Sequence, residues 1–354
     1  MEPLNLDEFE SVAQATLPRM TYDFIAGGAE DERSLAMNRA ALASRAFRPR
    51  VLVDVAQRDT RTTLLGLELP HPILLAPTAL HRVAHPEGEI ATARGAAAAG
   101  ALYTVSTATS TRLEDIASAA PGGRRWFQLY HLGAREASER LIAHAIATGH
   151  TAIVLTVDVP LLGRRERDLR NAFALPDGVA MAHAYEPAWA PPGEDRSRGW
   201  ASPIASASLT WDDVEWIRAA AGNVPLLLKG ILRGDDARRA LDRGVSGVWV
   251  SNHGGRQLDG AIGTLDALAD VAAAVAGQCP IVLDGGIRRG TDVLKALALG
   301  AAAVAIGRPQ LYGLAAGGAD GVRRVVDLLR AELDLSMALI GAPSLADVVP
   351  DLVV

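Results

Sequence analysis

Residues 225–250 read PLLLKGILRGDDARRALDRGVSGVWV. Two apolar runs, Pro225-Leu226-Leu227-Leu228 and Gly247-Val248-Trp249-Val250, flank a charged helical segment, Asp235–Arg243, that stops at Gly244. Continuous apolar runs of this length predict strands buried on both faces, and a helix between them predicts that they lie parallel. A glycine just past the helix supplies the left-handed backbone that ends it.

Six more apolar runs extend the pattern: Ile73-Leu74-Leu75-Ala76, Leu102-Tyr103-Thr104-Val105, Trp126-Phe127-Gln128-Leu129, Ala152-Ile153-Val154-Leu155, Ile281-Val282-Leu283 and Ala303-Val304-Ala305-Ile306. The helical segments Glu89–Ala99, Arg135–Thr148, Leu265–Ala276 and Asp292–Leu299 lie between them, with Gly100, Gly149 and Gly300 at helix stops. Eight strand–helix units predict a closed (β/α)₈ TIM barrel. An open doubly wound sheet is the alternative. Residues 1–68 read as an N-terminal helical cap (Asp7–Leu17, Thr21–Ala26, Ala29–Ala43), residues 69–310 as the barrel, and 311–354 as a helical tail centred on Gly321–Leu339. The long gap Leu175–Ser208, after the fourth strand, reads as a lid loop carrying prolines, Trp189, Trp200 and a charged patch. The whole reads as one domain.

Each run ends in polar or special residues: Pro77-Thr78-Ala79, Ser106-Thr107, Gln128 and Tyr130, Thr156 and Asp158, Lys229-Gly230, Ser251 and His253, Asp284-Gly285-Gly286, and Gly307-Arg308. In a barrel of parallel strands these ends share one mouth, where such folds hold their active sites. His253 can take a proton near neutral pH, and Arg256, three residues on, can clamp a carboxylate through two hydrogen bonds. Gly254 and Gly255 between them let a ligand approach the backbone. A base beside an anion clamp suits proton removal from a hydroxy acid. The loops Asp284–Gly290 and Gly307-Arg308-Pro309 follow the seventh and eighth strands, a common place for a phosphate. By spacing alone, any phosphorylated compound would fit.

Composition narrows the field. The chain has 354 residues, 49% hydrophobic, which is ample for a core. Lys and Arg total 35 against 41 Asp and Glu, a net charge of −6 that argues against nucleic acid as a partner. The single cysteine, Cys279, excludes a disulfide framework and reads as core packing. No leader, membrane span or metal-ligand spacing is visible, so a cytoplasmic protein without metal is expected.

The chain resembles the FMN-dependent 2-hydroxy-acid oxidases and dehydrogenases. The resemblance runs from Pro18-Arg19-Met20-Thr21-Tyr22-Asp23-Phe24 to Ser336-Met337-Ala338-Leu339. It is carried by Ala76–Ala79, His85-Pro86-Glu87-Gly88-Glu89, Phe127–Tyr130, Thr156–Pro160, Gly163-Arg164-Arg165, Leu228-Lys229-Gly230, residues 251–260 and the two glycine–arginine loops. It implies FMN as cofactor and oxidation of an (S)-2-hydroxy acid to the 2-oxo acid. Oxygen would be the acceptor, giving hydrogen peroxide, in a homotetramer. A dehydrogenase using a quinone or carrier is the alternative, as is another FMN- or phosphate-binding barrel, an isomerase or a non-enzymatic binder.

The resemblance also implies roles. His253 would be the base, oriented by Asp158; Arg165 and Arg256 would bind the carboxylate, and Tyr130 the substrate oxygen. Lys229 would stand by the flavin, with Pro77, Thr78, Ala79, Ser106, Gln128, Thr156 and Ser251 around the ring and ribityl chain. Asp284, Gly285, Gly286, Arg288, Gly307 and Arg308 would hold ribityl and phosphate. Two departures bear on substrate: Phe24 stands where the family often has Tyr, and Ala108 where glycolate-type members place Trp. Phe24 makes the pocket less polar and Ala108 leaves room, which together imply a bulky, aryl 2-hydroxy acid of the mandelate kind. Among the other histidines, His85 reads as structural, and His131 as turned away from Tyr130. His81 lies near the mouth, and His71, His144, His150 and His183 read as surface or loop residues.

Overall fold

The computed structural model describes residues 2–131, 133–183 and 206–354. Helices α1 (Leu6–Thr16), α2 (Arg19–Ala26) and α3 (Arg33–Ala43) open the chain, followed by a hairpin of β1 (Thr62–Leu64) and β2 (Leu67–Leu69). Strand–helix pairs follow: β3 (Ile73–Leu75) and α4 (Gly88–Ala99), β4 (Leu102–Ser106) and α5 (Leu113–Ala119), β5 (Arg125–Leu129) and α6 (Arg135–Ala147). After β6 (Ile153–Thr156) come α7 (Glu166–Arg170) and α8 (Trp211–Ala221). Then come β7 (Leu226–Ile231) and α9 (Gly234–Asp242), β8 (Gly247–Val250) and α10 (Thr264–Val275), β9 (Ile281–Asp284) and α11 (Gly290–Ala298). Finally β10 (Ala303–Ile306) leads into α12 (Arg308–Ile340).

Strands β3 to β10 close a parallel barrel in the order β10-β3-β4-β5-β6-β7-β8-β9. The eight apolar runs are therefore its eight staves, and the open sheet is excluded. Alternate residues point inward. Leu74, Leu102, Trp126, Val154, Leu227, Trp249 and Val282 fill the barrel, joined by Leu64 and Leu69 of the hairpin. That hairpin closes the amino-terminal end. The opposite set packs outward into a second apolar layer beneath the helices. One step further along each strand, the inward set is Ala76, Ser106, Gln128, Thr156, Lys229, Ser251 and Asp284. Core becomes site by moving two residues up the strand, or four from Leu102 on β4, where Thr104 lies between.

Several details depart from the sequence reading. Helix α3 starts at Arg33 rather than Ala29, because Gly28 packs against the Gly255 carbonyl and Glu32 turns left-handed before it. The tail helix begins at Arg308, not Gly321, and breaks only at Gly317–Gly318. The hairpin and helices α5 and α8 were not singled out by periodicity. Gly100, Gly149, Gly244 and Gly300 do adopt positive φ at helix ends. Cys279 is half-buried against the outer core. The lid segment lies largely outside the described residues, Trp189 and Trp200 included. Among the described residues no helix is long and apolar enough to cross a membrane, and no cluster of metal ligands occurs.

Candidate active site

A cleft of about 1030 Å³, open solvent at its mouth included, lies at the carboxyl ends of the strands. Phe24 and Ile25 of α2 roof one side, so the amino-terminal helices cap the mouth. Of the residues expected at the site, Phe24, Pro77, Thr78, Ala79, Ser106, Ala108, Tyr130, Arg165, Lys229, His253, Arg256, Asp284, Gly285, Gly286, Arg288, Gly307 and Arg308 all line this cleft. Gln128, Thr156, Ser251 and Asp158 stand immediately behind that wall, each hydrogen-bonded to a residue that lines it or to one another.

His253 is held in the left-handed region, φ 56°, followed by Gly254 at 63° and Gly255 at 71°. Such a conformation costs a non-glycine residue of order 1–3 kcal/mol and needs support. The support is the His253 N–H donating to Ser251 Oγ (3.0 Å) and the Gly255 N–H donating to Asn252 Oδ1 (3.1 Å). A Cβ on Gly255 would fall 2.5 Å from the Leu35 nitrogen, so the turn can pass under α3 only as glycine. Asn252 is clasped in turn by Asn38 of α3 through two reciprocal amide hydrogen bonds, 2.9 and 2.8 Å.

The imidazole has one defined tautomer. Nδ1–H donates to Asp158 Oδ1 at 2.9 Å, because a carboxylate only accepts, and this leaves the Nε2 lone pair toward the Tyr130 hydroxyl 3.4 Å away. Burial lowers the His253 pKa; Asp158 works against this, while Lys229 and Arg165 add to it. The ring is thus a neutral base at neutral pH. Burial opposes the Asp158 charge, yet His253 and Lys229 outweigh it and hold the carboxyl below its usual range. Its Oδ2 is buried without a hydrogen-bond partner. Gly230, at φ 113°, makes this approach possible: a Cβ there would meet Asp158 Cβ at 2.6 Å.

Three guanidiniums converge on the same space. Burial depresses the pKa of Arg165, and that of Arg308 likewise; it takes Arg256 well below its ordinary value, with Arg165 and Arg308 adding like-charge repulsion. Arg256 donates to the Gly27 carbonyl (2.7 Å) and lies over the Phe24 ring; Arg308 donates to the Ile25, Ala26, Gly27 and Gly254 carbonyls. These partners are neutral. Among the described residues no ion pair closes on any of the three, and the Arg165 Nε is buried with no acceptor. A cleft lined by three half-buried guanidiniums, with Asp168 the nearby countercharge to Arg165 and Arg256, favours anionic ligands.

On the opposite wall Lys229 Nζ donates to Ser251 Oγ (2.9 Å) and pairs with Asp284 Oδ2 (3.2 Å). Asp284 also accepts from Ser251 Oγ and Trp249 Nε1. Ser106, Gln128 and Thr156 form a second hydrogen-bonded arc, so the floor of the cleft is a belt of fixed polar groups.

A flat cofactor with a phosphate tail fits these residues. Gly285 and Gly286 have φ of 103° and 82°, and a Cβ would strike Thr264 Oγ1 from the first and the Asn38 carbonyl from the second, so only glycine admits this loop. The Arg288, Arg289 and Gly290 N–H groups are taken by Asp292 and Glu332. The start of α12, where Gly307, Arg308 and Pro309 line the cleft, is the helix terminus left for an anion. Arg288 lies within 3.7 Å of Asp7 and 3.9 Å of Glu10 on α1.

Residues 13–354 match the model of the FMN-dependent dehydrogenases. The chain belongs to that family. Its cofactor is FMN. An L-lactate oxidase of Nostoc sp. is 48% identical over 353 residues, covering 98% of this chain and 96% of the relative. Glycolate oxidase 5 of Oryza sativa subsp. japonica is 46% identical over 350 residues, 98% of this chain and 94% of its own. A crystal structure of mandelate oxidase superposes with a TM-score of 0.91 at 44% identity, over 99% of this chain and 98% of that one.

Of the four histidines read as surface or loop residues, His71, His150 and His183 do lie in loops, but a surface place is not borne out. His71, His150 and His183 are buried, not superficial, and His144 is mostly covered, its ring 5.5 Å from that of His183. His71 and His150 donate to the Ala99 and Ala145 carbonyls at helix ends, and His183 accepts from the Leu113 N–H. Rings that satisfy buried backbone groups explain the burial. His85 packs under Gly318, and His131 turns to Ser138 and the edge of Trp216. His81 does not reach the cleft but stands behind Thr78. Sequence reasoning placed Gly230 at a strand end without its contact with Asp158, and missed Asn38 and Trp249. Of these only Trp249 had a signal, its inward register two residues below Ser251.

Proposed function

We propose that the protein oxidises an (S)-2-hydroxy acid, of aryl type, to the 2-oxo acid and passes the electrons to oxygen, giving hydrogen peroxide. One observation carries this reading: His253, oriented by Asp158, faces the same cleft as Arg165 and Arg256, on which no ion pair closes among the described residues. The guanidiniums would hold the substrate carboxylate, Tyr130 would donate to the hydroxyl oxygen, and His253 Nε2 would take the hydroxyl proton. Asp158 then stabilises the imidazolium. Bound FMN supplies the two-electron acceptor. Lys229, with Ser251, would offset negative charge beside it, and the Gly285–Gly286 and Gly307–Arg308 loops would hold the phosphate.

The aryl preference rests on the walls. Phe24 stacks on Phe173, centroids 4.2 Å apart and planes 4° from parallel, which gives an apolar face without a hydroxyl. Ala108 lines the same cleft with only a methyl group, where a larger side chain would take up space. Relatives named for lactate, glycolate and mandelate span this range of substituents. Initial rates with mandelate, 4-hydroxymandelate, lactate and glycolate test it, with oxygen uptake and peroxide followed together. Mandelates should lead; glycolate ahead of every aryl substrate sinks the aryl reading. Ala108→Trp should lower kcat/KM for mandelate at least tenfold more than for glycolate. The proposal extends to a cytoplasmic homotetramer, checked by sedimentation and cell fractionation.

A further inference from the structure

Thr78 lines the cleft at the end of β3, and its hydroxyl is committed on two sides away from it. Gln310 Nε2 donates to Thr78 Oγ1 at 3.0 Å; the amide orientation is fixed because the same nitrogen donates to the Ala76 carbonyl. His81 Nε2 lies 2.7 Å from the same oxygen. The other ring nitrogen, Nδ1, is 2.8 Å from Thr92 Oγ1, and the Gly88 carbonyl, 3.4 Å from the same hydroxyl, offers its hydrogen an acceptor. The ring is wholly buried beside Glu89 and Tyr103. Glu89 accepts the His81 and Ser110 N–H groups and the Ser110 and Thr111 hydroxyls, so it needs nothing from the ring itself. Leu80, at φ 54°, holds the left-handed turn that brings His81 beneath Thr78.

Hydrogen counting allows two orientations of this hydrogen-bond chain, and the Gly88 carbonyl favours one of them. A hydroxyl has one hydrogen and two lone pairs. Gln310 occupies one lone pair of Thr78. If Thr92 gives its hydrogen to Gly88, it accepts from His81 Nδ1–H, and Nε2 is left bare. Thr78 then donates to Nε2, and its remaining lone pair faces the cleft. We propose that His81 is a positioning residue for the cofactor: it keeps the Thr78 hydroxyl an acceptor, not a donor, toward the flavin. Burial, which disfavours the charged ring, supports the neutral form. The inference rests on FMN occupying the cleft described above. An acceptor fixed there bears on the relative stability of oxidised and reduced flavin, since their N–H groups differ.

Two measurements test it on the FMN-loaded protein. Nitrogen-15 spectra of the histidine side chains should show His81 as the Nδ1–H tautomer; an Nε2–H ring overturns the assignment. Midpoint potentials should be measured across a double-mutant cycle of His81→Phe and Thr78→Val. His81→Phe frees the Thr78 hydrogen, so the flavin reduction equilibrium should move at least threefold, while in the Thr78→Val background it should have no further effect. An equal shift in both backgrounds, or none in either, overturns the proposal. A purely structural role would lower Tm and FMN retention without moving the potential. If His81→Phe fails to fold, His81→Gln serves, since its amide donates to Thr78 and frees the same hydrogen. Protein purified without any flavin defeats the cofactor reading as well. Flavin bound with an unmoved potential defeats only the role of His81.

Discussion

His253 earns its place as base through its neighbours, and its own substitution has two separable effects. His253→Asn removes the Nε2 lone pair but leaves an amide of similar shape beside Asp158. Loss of a positioned base costs about 10²–10⁴-fold in the chemical step. Flavin reduction by a hydroxy acid should fall by that range while the bound flavin spectrum persists; reduction within threefold of the parent excludes His253 from the proton transfer. The pH profile follows from the direction of the shift. Burial lowers the His253 pKa below the ordinary 6.5, so the base stays deprotonated as pH falls through 6.5. The acid limb of kcat/KM should lie below that pH. A limb at 7 or above contradicts the burial argument.

At the scale of elements, glycines decide whether catalytic side chains can meet. Gly230 and Gly244 both have positive φ, but only Gly230 also faces a close contact, with Asp158. Gly244 faces nothing nearer than 3.6 Å, the Arg218 side chain. Gly244→Ala should therefore cost about 1 kcal/mol of stability and leave kcat unchanged. Gly230→Ala should lower stability similarly or more and also cut kcat at least tenfold, because Asp158 must move off His253. Thermal melts and steady-state rates of the two variants separate strain from displacement; equal kcat in both would show that the Asp158 approach does not matter.

Elements were legible where one residue's neighbours along the chain determine its environment. The strands announced themselves as apolar runs, and period-two alternation carried Ser106, Thr156, Lys229, Ser251 and Asp284 to one mouth. The hairpin was not legible, because three-residue strands leave too little pattern. Asn38 was hidden for another reason: its meaning lies in Asn252, more than two hundred positions away. His81 was visible as a residue, but its burial and its hold on Thr78 depend on how α4 packs over β3.

The molecule as a whole buries several histidines in neutral form, and this sets its acid limit. Burial takes His150 down to about 4, and it also lowers His71, His81, His131 and His253. The unfolded chain takes up these protons near 6.5. Between 6.5 and about 4 the unfolded state therefore binds protons that the native state refuses, and stability falls as pH drops through that window. His150 alone would contribute about 3 kcal/mol once the window is crossed. Its Nδ1–H bond to the Ala145 carbonyl, 2.9 Å, needs only the neutral ring. Tm should thus decline steadily from pH 7 to 4.5 at fixed FMN. His150→Gln should start lower at pH 7, where it loses packing, but decline less steeply, with the two curves converging in acid. Parallel curves would mean that His150 protonates in place, and that the acid limit belongs to the depressed carboxylates Asp158 and Glu89, whose contribution is lost only below their ordinary range near 4.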